Sequence, residues 1–72
     1  MIEAVISLAV AQNILVIKTI SGMANAIAVC IDSIHIPGVV GTVAGDDTIL
    51  MVITDNATAQ QALENLKELF AK

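Results

Sequence analysis

The chain has 72 residues, enough for one domain, and is 57% hydrophobic but only 14% charged, with a single aromatic residue, Phe70. Its formal charge of −4, with three lysines and no arginine, argues against a chain that grips nucleic acid by itself and favours a cationic ligand. A domain this small has too little interior for so many aliphatic side chains, so a membrane or other subunits must cover the remainder.

The membrane alternative fails on length. Residues 4–17, AVISLAVAQNILVI, make a run of 14 interrupted by Gln12-Asn13, short of the ~18–20 apolar residues a spanning helix requires. The later apolar run is broken by Pro37, Gly38, Gly41, Gly45 and the pair Asp46-Asp47. No basic segment opens the chain, so no signal peptide is expected. An obligate oligomer is the expectation. One cysteine, Cys30, excludes an internal disulfide and fits a reducing, cytoplasmic compartment.

In chain order, AVISLAVA (4–11) and ILVIKTI (14–20) are short runs rich in β-branched residues and joined at Gln12-Asn13. They predict a β-hairpin, with Asn13 as the residue able to take positive φ. The first strand is mostly apolar on both sides, the mark of a strand covered on both faces. Residues 22–34 switch to helical spacing, with Met23, Ile27, Cys30, Ile31 and Ile34 forming the stripe. Ser21 is the expected N-cap and Pro37-Gly38 the stop. VVGTVA (39–44) and TILMVIT (48–54), separated by Gly45-Asp46-Asp47, predict a second hairpin. A last helix opens near Asp55-Asn56, with Thr58 and Gln61 spaced as a capping box. Its buried stripe is Ala59, Ala62, Leu63, Leu66 and Phe70, while Gln60, Glu64, Lys67 and Glu68 face water.

The order ββαββα predicts a single α+β domain over residues 1–72, a two-layer sandwich. It places two helices on one face of a four-stranded, mainly antiparallel sheet. The opposite sheet face is also aliphatic and is left without cover by this chain, as an interface would be.

Few residues can carry chemistry. Asn25 and Asp32, seven apart on the first helix, share one face about 10 Å apart along the axis. Ala28 and Val29 lie between them, which suits a subunit contact holding a polar pocket, or simply a helix with two stray polar residues. Asp46-Asp47 reads equally as turn chemistry. His35 fits a surface residue or a helix C-terminal cap, and Cys30 a buried small hydrophobe. Lys18 and Thr19 close the second strand with no chemistry assigned. The chain has no nucleophilic triad, no zinc-spaced Cys/His set and no phosphate-cradling glycine loop.

Read together, LVIKT (15–19), Gly22 with ANAI (24–27), ID (31–32) and GTVAGDDTIL (41–50) resemble the C-terminal domain of the bacterial arginine repressor. The resemblance runs from about Val5 to Phe70, and G-T-[IV]-x-G-D-D-T-[IL] is close to a signature for that family. It implies an effector domain that binds L-arginine as corepressor and assembles as trimers paired into hexamers, with arginine between the trimers. It implies effector contacts at Asn25, Asp32, Asp46 and Asp47, with backbone around Ala24 and Thr48 lining the same site, and no metal. The chemistry agrees: L-arginine carries two cationic groups and one carboxylate, and guanidinium prefers paired hydrogen bonds to a carboxylate. Asn25 can both donate and accept. The expected division has Asp46 reaching the guanidinium across the interface and Asp32 and Asp47 holding the ammonium.

Two departures stand out. Ser21 replaces a common proline before the glycine that opens the helix. Val29 stands where some members carry an arginine able to occupy the empty acidic site. The resemblance implies a winged-helix domain that this sequence does not include; the expectation is an excised or truncated effector domain that contacts operator DNA only through that missing part. The rival readings are an amino-acid-sensing module of a metabolic enzyme, an enzyme on a similar fold, and a purely structural oligomerisation domain. The enzyme reading lacks a nucleophile or metal set.

Overall fold

The computed structural model describes residues 2–71, the Ile2 side chain excepted. A 3-10 turn at Ile2–Ala4 leads into β1 (Val5–Ala11), β2 (Ile14–Thr19), α1 (Ala24–Asp32), β3 (Val39–Ala44), β4 (Thr48–Ile53) and α2 (Asn56–Ala71). The strands form one antiparallel sheet in the order β1-β2-β4-β3. The expected ββαββα, two-layer α+β architecture is the one observed.

Strand parity explains the layering. Leu15, Ile17 and Thr19 of β2 and Ile49, Met51 and Ile53 of β4 are all buried, at every second position. They pack against Ala24, Ile27, Ala28 and Ile31 of α1 and Ala59, Ala62, Leu63, Leu66 and Phe70 of α2 in one core. Because successive strand side chains point to opposite faces, a core on one parity requires both helices on one side of the sheet. The other face stays open: Val43 is 66% exposed, Leu50 41% and Val52 38%. β1 is therefore not covered on both faces within the chain, since Ile6, Ala9 and Ala11 are exposed.

Several local expectations are corrected. Gln12, not Asn13, takes the positive φ of the first hairpin (57°). Asn13 instead tethers the far end of β4, its Nδ2 donating to the Ile53 carbonyl at 3.1 Å. α1 starts at Ala24, because Gly22 (φ 81°) and the Met23 N–H to Ile20 carbonyl bond first turn the chain. Ser21 is thus too far back to cap, and Met23 at the N-cap position makes no side-chain cap bond. At the other end Ser33, not His35, closes the helix, with its N–H and Oγ both bonded to the Cys30 carbonyl. α1 buries Ala28 and exposes Cys30, so the inward stripe is rotated from the expected one. Ala24, Ile27, Ala28 and Ile31 form the buried side of α1, while Cys30 and Val29 face outward.

α2 is capped by Asp55, whose carboxylate accepts from the Thr58 N–H at 2.7 Å. Thr58 and Gln61 form no capping box; Gln61 bonds Asn65 instead. Asp55 is held below the ordinary carboxylate range chiefly by the Thr58 backbone N–H.

Gly38, with φ 87°, sits where an added Cβ would collide with Thr58 Cγ2 and stand 3.2 Å from Thr54 Oγ1. Gly22 shares the left-handed backbone but faces open space. We predict that Gly22→Ala costs about 1–2 kcal/mol, the backbone penalty alone, and that Gly38→Ala costs clearly more. Denaturant unfolding at fixed protein concentration measures both, and equal losses would contradict the steric account.

Candidate functional site

Strand pairing assembles the site. β2 runs antiparallel to β4 with Lys18 opposite Thr48, so the end of β2 lies beside the start of β4. α1 leaves the sheet from the end of β2, and the β3–β4 hairpin turns just before the start of β4. The N-terminus of α1 and the tip at Asp46-Asp47 must therefore be neighbours.

Backbone hydrogen bonds latch them together. The Ala24 N–H donates to the Asp46 carbonyl at 3.2 Å, and the Thr19 N–H to the Asp47 carbonyl at 2.8 Å. Gly45 N–H closes the turn on the Thr48 carbonyl at 2.8 Å. The hairpin thereby supplies a cap that no side chain of α1 provides. Carboxylates at this end of the helix also meet the positive pole of its dipole.

The two aspartates differ. Asp46 is exposed and, among the described residues, its carboxylate has no hydrogen-bond or ion-pair partner. Asp47 is engaged: Thr48 Oγ1 donates to its Oδ1 at 2.9 Å, and Lys18 Nζ stands 3.7 Å from the same oxygen. Lys18 also donates to Thr48 Oγ1 at 2.7 Å. The Thr48 hydrogen bond first, and the Lys18 charge second, hold the Asp47 carboxyl below its usual range.

Ala24, Asn25, Asp46, Asp47 and Thr48 thus gather at one end of α1, with Asn25 exposed in its first turn. Asp32 stands apart, at the last position of α1, about 10 Å further along the axis. There it lines an open cavity of about 340 Å³ with His35, Ile36, Val39, Thr42 and Met51. Lys18 is the member that sequence reasoning missed. Its only signal is register: it sits directly across from Thr48, a relation invisible without strand pairing.

The fold is that of a small α+β domain with one sheet face uncovered and an acidic hairpin tip docked on a helix start. The model of the arginine repressor C-terminal domain family matches residues 1–68. Named arginine repressors match most of this chain. That of Lachnoclostridium phytofermentans is 45% identical over 64 residues, 89% of this chain and 42% of its own length. That of Caldicellulosiruptor saccharolyticus is 41% identical over 70 residues, covering 97% and 46% of the two chains. That of Solibacter usitatus is 52% identical over 56 residues, covering 78% and 39%. The chain belongs to the arginine repressor C-terminal domain family, whose matched relatives are named as repressors and not as enzymes. It spans less than half the length of these relatives. Among the described residues no helix is long and apolar enough to cross a membrane.

A folded-state pKa held down means stability that is present above the ordinary carboxylate range and lost as pH falls through the lowered value. We predict that Thr48→Val raises the Asp47 pKa more than Lys18→Met does, and moves the acid-unfolding midpoint to higher pH. Side-chain carboxyl NMR titration checks the first part; a larger effect from Lys18→Met would reverse the ranking.

Proposed function

We propose that this chain is the effector-binding and assembly domain of an arginine-responsive transcriptional regulator. It binds L-arginine as corepressor between trimers, stabilises the hexamer and so controls arginine-metabolism genes in the cytoplasm. Operator DNA is contacted through a separate winged-helix domain of the whole regulator, not by this acidic chain.

The observation that carries the reading is the latched hairpin tip of a family member. It bonds the Asp46 backbone carbonyl to the first N–H of α1, one residue before Asn25, while the Asp46 carboxylate is exposed and has no partner among the described residues. A cation is what Asp46 lacks, and first-turn amides without intrahelical partners suit a carboxylate. L-arginine offers both. Asp32, at the far end of α1, suits the second charged end of such a ligand, or one bound by a neighbouring subunit. The open aliphatic sheet face supports self-association. Carboxylates from several subunits repel when they converge, and a ligand that neutralises them favours the assembled form by mass action.

Titration calorimetry with L-arginine, using citrulline as the uncharged isostere, tests the effector. Arginine should bind and citrulline should bind far more weakly; equal binding or none would overturn the reading. Sizing should record trimers passing to hexamers when arginine is added. Asp46→Asn is expected to weaken arginine binding by about 2–5 kcal/mol, the cost of removing one partner from a desolvated charge pair. A loss under ~0.5 kcal/mol would return Asp46 to a turn residue, because surface substitutions without such a partner stay within that range.

A further inference from the structure

We propose that Lys18 is a positioning residue of the effector site: through the Thr48 hydroxyl it holds the Asp47 carboxylate in one orientation before arginine arrives. The inference rests on the arginine-binding reading given above.

The hydrogen bonds have a direction. A lysine ammonium has only donors, so at 2.7 Å it must donate to Thr48 Oγ1. The hydroxyl has a single proton, and with Lys18 on one of its lone pairs that proton goes to Asp47 Oδ1 at 2.9 Å. Lys18 reaches the same oxygen electrostatically at 3.7 Å. Both contacts fall on Oδ1, which leaves Oδ2 without a partner among the described residues and open to a ligand. The backbone on either side is fixed as well, since the Asp47 carbonyl takes the Thr19 N–H.

No other described lysine can serve. Lys67, the only other one, pairs with Glu64 on α2. The strand neighbour of Lys18 on the β1 side is Ser7, which carries no charge. Lys18 therefore also offsets the repulsion between adjacent Asp46 and Asp47. The depressed Asp47 pKa agrees with a carboxylate kept charged. An anion already oriented spares the effector the cost of ordering it, which is the general basis of preorganised binding.

Calorimetry of the full chain with L-arginine decides the point, alongside melting curves that establish each variant as folded. Lys18→Met should weaken binding about tenfold, the scale of one hydrogen bond to a charged group. Lys18→Arg should restore most of it. In a Thr48→Val background, Lys18→Met should cost little more, because the relay is already cut; additive losses would mean that Lys18 does not act through Thr48. Unchanged or tighter binding by Lys18→Met would overturn the proposal, the latter marking Lys18 as a competitor for Asp47. If the wild-type chain binds no arginine, the functional reading fails by itself. The Lys18 claim then stands or falls on ligand-free NMR: Lys18→Met should average the Asp47 χ1 couplings, and unaltered couplings refute it.

Discussion

The antiparallel pairing of β2 with β4 is the constraint on which the rest of the molecule depends. It sets Lys18 against Thr48 and so brings the exit of β2 to the entrance of β4. From that one adjacency follow the docking of α1 on the hairpin tip, the backbone cap from Asp46 to Ala24, and the relay from Lys18 to Asp47. A register slip of one residue would turn every strand side chain to the other face and dissolve the core and the site together. The same alternation that buries Ile17 and Ile49 sends Lys18 to the open face.

Fold and assembly are linked through composition. One helical layer covers one sheet face, and no element among the described residues covers the second, aliphatic face. Val43, Leu50 and Val52 are the visible excess of a sequence too apolar for its size. The charged relay lies where this open face meets the hairpin tip. Under the proposed function, a site so placed would face both a ligand at the tip and whatever packs on the sheet, the physical requirement for coupling effector to assembly.

Much of the architecture was legible in the residues. Period-two runs, a glycine-led acidic turn and the 3.6-residue stripe from Ala59 to Phe70 specified the six main elements and their order. The burial of α2 follows that stripe residue by residue, because an isolated amphipathic helix has only one face to offer. Caps and local turns were read less well. Asp55 rather than Thr58 caps α2, Gln12 rather than Asn13 turns the first hairpin, and Cys30 faces out. Each turns on which of several nearby residues takes a local role, and propensity alone does not decide it: Asn13 is the more tolerant of positive φ, yet Gln12 takes it.

The sequence by itself determined the elements, their order, the excess of apolar surface and the small set of groups able to meet a cation. It did so because periodicity, turn chemistry and charge are properties of neighbours along the chain. Only the tertiary structure decided that Asp46 has no partner among the described residues while Asp47 is held, that Asp32 stands at the opposite end of its helix from both, and that Lys18 belongs with Asp47 at all. Lys18 and Asp47 are 29 residues apart in the chain, and what separates two adjacent aspartates is a hydroxyl and an ammonium brought up by strand register.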